Sequence, residues 1–179
     1  MIDASARSIF KEEHQAFRDT VRRVFADTLE PHIDRHEKEG LVEREAWTAA
    51  GAAGLLCPGV PEAYGGPGLD FTFNAIVGEE LAYLGAAAGF TLQSDIVADY
   101  LIAYGSEEQK QRYLPGMVSG ETITAIAMTE PGAGSDLQGM KTLARPDGNG
   151  WSLSGSKTYI TNGQSADLVI VCARTTVQG

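Results

Sequence analysis

The apolar residues of this chain change their period once, at Glu121. Before that point Phe10, Phe17, Val21 and Val24 recur at spacings of seven, four and three, one face of a 3.6-residue repeat. After it, Ile123, Ala125 and Ala127 face one way and Thr122, Thr124 and Ile126 the other, the two-residue alternation of a strand. A chain that is helical first and extended afterwards segregates its elements. The expected class is therefore α+β, not the alternation of a doubly wound sheet. Two domains are expected: residues 1–120, all-helical, and residues 121–179, the start of an antiparallel β-barrel or sandwich.

Punctuation refines the outline. Pro31 is expected to break the first helix near Glu30. A helix over 43–53 closes at Gly54, and 58–69 is a Pro- and Gly-rich loop. Helices follow over 71–84 and 88–104, the latter ending at Gly105. Ser106 with Gln109 three residues on is a capping-box pattern, and Gly116 and Gly120 mark where that helix fades. Strands are expected over 141–145, 151–161 and 168–173, with Asp147-Gly148-Asn149-Gly150 as the hairpin turn between the first two. Four short strands do not close a barrel, and the last would be an exposed edge, so the chain is expected to continue beyond Gly179.

Composition excludes some functions. Among 179 residues, 24 are acidic and 14 basic, a net charge of -10. That balance argues against nucleic acid or an anionic membrane as partner, since both demand a basic face. No apolar run reaches the about 18 residues of a membrane span, and none near Met1 serves as a signal peptide. Cys57 and Cys172 form neither a CxxC pair nor a disulfide framework. They read as buried, reduced thiols of a cytoplasmic protein. Apolar residues make up 43% of the chain, enough for a packed core.

The stretch that carries chemistry is Ala127-Met128-Thr129-Glu130-Pro131-Gly132-Ala133-Gly134-Ser135-Asp136-Leu137-Gln138-Gly139. A strand ends at Thr129 and enters a glycine-rich turn. Gly132 and Gly134 are expected to adopt positive φ and bring backbone N–H groups close to a ligand, as in an anion nest that suits a pyrophosphate. Ser135 adds a hydroxyl, and Asp136 can brace the turn through its own backbone. Alone, such a turn is more often structural punctuation than a phosphate site.

Three further motifs accompany it in order: Pro61-Glu62-Ala63-Tyr64-Gly65-Gly66, Gly105-Ser106-Glu107-Glu108-Gln109-Lys110 and Lys157-Thr158-Tyr159-Ile160-Thr161-Asn162-Gly163. Together the four resemble the acyl-CoA dehydrogenase family over essentially the whole chain. The run 126–139 followed by Met140-Lys141-Thr142 is most similar to the family's long-chain branch. The resemblance implies FAD as cofactor. Thr129 is similar to the threonine beside flavin N5, and Ile126, Met128 and Thr129 would lie along the isoalloxazine edge. Gly134 and Ser135 would hold the phosphate end of FAD, with Ser135 also near the CoA thioester arm. Tyr159, Ile160 and Thr161 match the second flavin segment, where many relatives carry tryptophan in place of Tyr159. Ala88, Gly89, Leu92 and Ile96 fall where the family lines its acyl-chain pocket, though helix packing explains the same residues.

The implied activity is α,β-dehydrogenation of long or branched acyl-CoA thioesters in fatty acid β-oxidation, with hydride transfer to N5. The implied partners are the acyl-CoA, an electron-transfer flavoprotein and further copies of the chain, as a dimer of dimers. No carboxylate here matches the family's catalytic glutamate, which is expected beyond Gly179 together with the contacts to the FAD adenine. Glu130 belongs to the signature and is expected to act structurally. An acyl-CoA oxidase or flavin monooxygenase of the same architecture remains open, as does a fragment or subunit that binds no flavin alone.

Weaker signals read as structure. His32 and His36 stand at i, i+4 without a third ligand, so no metal is expected and both are assigned to a solvated helix face, as His14 is to water. Trp47, Phe71 and Phe73 are expected in the core.

Overall fold

A computed structural model describes residues 7–175. The chain divides into two compact units, Met1–Ile123 and Thr124–Gly179.

The first unit is helical. Helix α1 spans Glu12–Thr28. Pro31 ends it, but as an initiator: it sits in the first turn of a 3-10 segment, Glu30–His32, that leads straight into α2, Ile33–Glu39. Proline costs nothing there, because a first-turn N–H has no helical acceptor. Helix α3 covers Arg44–Ala52 and α4 covers Phe71–Leu84. Asp70 caps α4, its carboxylate accepting from the Thr72 N–H at 2.9 Å. The expected helix over 88–104 is three pieces: α5, Phe90–Leu92, a π turn, Gln93–Val97, and α6, Ala98–Tyr104. Helix α7, Glu107–Ser119, starts with the Ser106–Gln109 capping box and runs through Pro115 and Gly116 to a left-handed Gly120. Gly116 therefore lies inside the helix and does not end it.

The core gathers Trp47, Phe90, Leu29, Leu55, Leu56 and Ile76, with the Trp47 and Phe90 rings edge to face at 4.6 Å. Helices α3 and α7 touch backbone to backbone. A Cβ on Gly51 would stand 2.1 Å from the Ser119 carbonyl oxygen, and one on Gly120 2.2 Å from that of Trp47.

Four assignments change here. His14 is buried, its ring within 2.7 Å of the Thr72 hydroxyl and accepting from the Lys11 N–H. His36 is also buried, against the Glu43 carboxylate. Each imidazole finds a local polar partner, which is what makes burial tolerable. Phe71 opens α4 on its outer side and is 65% exposed, and Phe73 is half-buried. Arg18 and Glu80, by contrast, are 2% and 5% exposed and face each other across α1 and α4. Arg18 also reaches Glu79 at 2.8 Å and Arg22 reaches Glu80 at 2.8 Å.

The second unit is extended. Strand β1, Thr124–Ala127, pairs in parallel with β4, Leu168–Val171. Strand β2, Leu143–Asp147, pairs antiparallel with β3, Gly150–Ser154, and in parallel with β5, Arg174–Thr175. The hairpin turns at Gly148 and Asn149 as its sequence requires. Among the described residues only that strand pair is antiparallel; the other two ladders join strands distant in sequence. All four residues of β1 are buried, so its alternation is covered on both faces. Strand β3 stops at Ser154 rather than 161. Gly155 packs against Thr142, and Tyr159 and Asn162 both take left-handed backbone, which no strand accommodates. Cys172 is half-buried, not fully buried. Among the described residues no helix is long and apolar enough to cross a membrane, and no cluster of His, Cys, Asp and Glu could hold a metal.

Candidate functional site

Strand β1 delivers the chain to a turn whose carbonyls are already committed. The Ala127 carbonyl accepts from the Cys172 N–H at 3.0 Å and that of Thr129 from the Thr158 N–H at 3.0 Å. The Met128 carbonyl accepts from the Lys157 ammonium at 2.8 Å. The turn then closes on itself: Glu130 and Ala133 exchange two backbone hydrogen bonds, of 2.9 and 3.1 Å, around Pro131 and Gly132. Proline presets the φ of such a turn. Beyond it, the Asp136 carboxylate accepts from the Gln138 N–H at 3.2 Å and starts a 3-10 turn, Leu137–Gly139, the bracing expected of it.

Glu130 is the anchor beneath. Its carboxylate accepts from the Lys141 N–H at 2.7 Å, the Thr142 N–H at 2.8 Å and the Lys157 ammonium at 3.0 Å. The nearby Thr142 hydroxyl, though outside hydrogen-bond geometry, leads the causes that hold this carboxyl down to about 2, followed by the Lys141 and Thr142 amides and Lys157. A carboxylate so stabilised as an anion is a poor proton acceptor near neutrality. Its place is structural.

Gly132 and Gly134 do not take the positive φ expected of them. The Pro131-Gly132 turn closes without a left-handed residue. Nor does crowding explain them, because a Cβ on either would meet nothing within 4 Å. Nothing among the described residues demands glycine at these two positions. What their missing side chains leave is bare, exposed backbone beside the exposed Ser135.

The second segment is tied to the first by four contacts: Lys157 to Met128 and to Glu130, Thr158 to Thr129, and the Asn162 amide donating to the Thr124 carbonyl at 3.0 Å. This brings Tyr159, Ile160 and Thr161 into the same unit as Ile126, Met128, Thr129, Gly134 and Ser135. Ile126 is buried within the β1–β4 ladder; Met128, Thr129 and Ile160 are half-buried, and Thr161 is exposed. Tyr159 is 92% exposed with φ of 57°. A tyrosine held in the left-handed region with its ring in the open is a strained, functional-looking arrangement. Lys157 and Asn162 flank this segment within the same motif, and the fold shows what they bind, which their spacing alone does not reveal.

The remaining candidates lie in the helical unit around the π turn. Gly89 is buried, Ala88 packs half-buried on the core, Leu92 is half-buried, and Ile96 is 41% exposed. Between the last two, Asp95 accepts from the Asn74 amide at 2.7 Å, and burial pushes its carboxyl above the usual range. A π turn inside a helix displaces side chains from the regular repeat and is common at functional sites.

Comparison with known proteins agrees along the whole chain. The family described as "Acyl-CoA dehydrogenase, N-terminal domain" matches residues 11–121, and "Acyl-CoA dehydrogenase, middle domain" matches residues 125–179. The mitochondrial long-chain specific acyl-CoA dehydrogenase of Sus scrofa is 51% identical over 176 residues, covering 98% of this chain and 41% of its own length. The crystal structure of an acyl-CoA dehydrogenase from Geobacillus kaustophilus superposes with a TM-score of 0.90 at 45% identity, over 96% of this chain and 46% of that one. A Mycobacterium smegmatis glutaryl-CoA dehydrogenase in complex with FADH2 superposes with a TM-score of 0.84 at 32% identity, over 97% of this chain and 45% of that one. The chain thus spans less than half the length of each.

Proposed function

The chain belongs to the acyl-CoA dehydrogenase family, and from that premise we propose that it is the part of an FAD-dependent acyl-CoA dehydrogenase that holds the flavin ring and phosphates. Long or branched acyl-CoA thioesters are its substrates. The carrying observation is the pair Gly132 and Gly134, whose lack of a Cβ serves no internal contact and keeps the backbone open beside Ser135. Glycine placed without a need of the fold answers to a ligand that approaches the main chain closely.

The residues present fit the group. When bound, FAD supplies a hydride acceptor at N5. Thr129 offers its hydroxyl to the flavin ring and Tyr159 an aromatic face. Gly134 and Ser135 would offer an amide and a hydroxyl to the phosphates, and the Ser135 hydroxyl would also serve the thioester arm. Glu130 and Lys157 fix this wall by joining its two segments. Proton abstraction at the α-carbon needs a carboxylate of ordinary basicity, and Glu130, held near 2, is not one. The proposal places that base outside these 179 residues, with electrons passed to an electron-transfer flavoprotein and the subunits assembled as a dimer of dimers.

The test is anaerobic. The full-length protein is expected to purify yellow and to bleach on addition of a long-chain acyl-CoA. A protein that takes up no FAD, or whose flavin stays oxidised with every acyl-CoA offered, would overturn the reading.

A further inference from the structure

The β2–β3 hairpin has two unlike faces. On one, Ala144, Pro146, Trp151 and Leu153 lie together, paired across the strands. On the other, Arg145 stands opposite Ser152 and Leu143 opposite Ser154, with Lys141 continuing the row. Directly opposed residues place their Cβ atoms within about 5 Å, so these side chains share one patch. Lys141, Leu143, Arg145, Ser152 and Ser154 line a concavity of about 260 Å³.

Three properties set this patch apart. Its two cations form no ion pair among the described residues, in a chain that carries a net charge of -10. Asp147, two residues further along the same face, bonds to neither. The wall offers hydroxyls from Ser152 and Ser154 and no carboxylate. The volume is also below the roughly 300–1,000 Å³ of pockets that hold whole small molecules, so it suits a group rather than a molecule. An ammonium, a guanidinium fork and two hydroxyl donors around such a space are complementary to tetrahedral oxyanions.

We propose that this face of the hairpin is an anion site for a phosphate group. Its lining residues are none of those assigned to the flavin, and it does not depend on the function proposed above. The group comes either from free phosphate or from a phosphomonoester at the end of a nucleotide, and the chemistry is shared.

The test is a transverse-relaxation-optimised nuclear magnetic resonance titration of the full-length protein at constant ionic strength, which removes general screening. The probes are inorganic phosphate, coenzyme A and dephospho-coenzyme A. Saturable shifts are expected at the amides of 141–145 and 150–154. The double variant Lys141→Gln, Arg145→Gln should bind inorganic phosphate at least about tenfold more weakly, while Lys141→Arg keeps the affinity and the dispersed spectrum. Coenzyme A binding more tightly than dephospho-coenzyme A at these amides identifies the nucleotide phosphomonoester as the source. Equal, weak binding of both beside clear binding of inorganic phosphate identifies free phosphate. Absence of saturable shifts at these amides with all three probes, or unchanged affinity in the folded double variant, would refute the site.

Discussion

The ammonium of Lys157 lies 3.0 Å from the carboxylate of Glu130, 27 residues earlier, and both side chains are largely buried. This one contact joins the turn that leaves β1 to the segment carrying Tyr159. Lys157 also holds the Met128 carbonyl at 2.8 Å, so its loss frees both ends of the join. Lys157→Met is expected to raise hydrogen exchange at the Ala133 and Thr158 amides about tenfold or more, with the helical unit unchanged. Equal protection in the variant would mean the pair does not organise the turn.

Acid acts on the same join. The Glu130 carboxyl titrates at about 2, well below the 4.5 of the unperturbed group. A depressed folded-state value contributes stability that is present above about 4.5 and is lost progressively as pH falls toward about 2. Exchange at the Lys141 and Thr142 amides, which donate to this carboxylate, should therefore accelerate across that window after correction for intrinsic rates. In Glu130→Gln the window should vanish.

The helical unit depends on a different buried pair. Arg18 reaches Glu79 and Glu80, and at Glu80 it is the fully buried partner. Arg18→Met leaves a buried carboxylate served by Arg22 alone, and removing one partner of such a pair costs about 3–5 kcal/mol. Chemical denaturation of the helical unit should read a loss of that order. A loss below about 1 kcal/mol would mean Arg22 suffices.

Tyr159 opposes stability to function. Its left-handed backbone costs on the order of 1 kcal/mol for a residue with a Cβ, and its ring meets water. Tyr159→Gly is expected to leave the chain no less stable while weakening flavin retention in the full-length protein, read by equilibrium dialysis. Undiminished retention would show that the ring is not part of the flavin wall.

Thr129→Val keeps the shape of a half-buried side chain and removes its hydroxyl. In the full-length enzyme, flavin reduction should slow by the worth of a hydrogen bond, on the order of 1–2 kcal/mol, in stopped-flow absorbance. An unchanged rate would separate Thr129 from the flavin.

Some of this was legible in the sequence. The α4 boundaries, the Ser106–Gln109 cap and the Gly148-Asn149 turn follow from local chemistry, in which the residues that decide the structure are neighbours in the chain. The order of helices before strands follows from periodicity. What escaped depends on distant partners. Nothing near Arg18 in the chain marks it for burial, and Glu79 and Glu80, some 60 residues on, bring it inside. His14 is buried for the same reason, by Thr72, whereas the partner of His36, Glu43, is only seven residues away and lies across the turn between two helices. The parallel pairing of β1 with β4 also joins distant residues, Thr124 with Leu168. At the turn, the left-handed geometry expected of Gly132 and Gly134 is absent, and the two glycines leave open backbone instead.

That distinction gives the most direct test. Gly134 has no positive φ and no neighbour within 4 Å of a Cβ, so Gly134→Val should not disturb the fold. Binding of FAD to the full-length protein, measured by quenching of flavin fluorescence alongside thermal unfolding of the flavin-free form, decides the matter. The account predicts an unchanged unfolding temperature and an affinity at least about tenfold lower. A variant that binds FAD as tightly as the parent would contradict it.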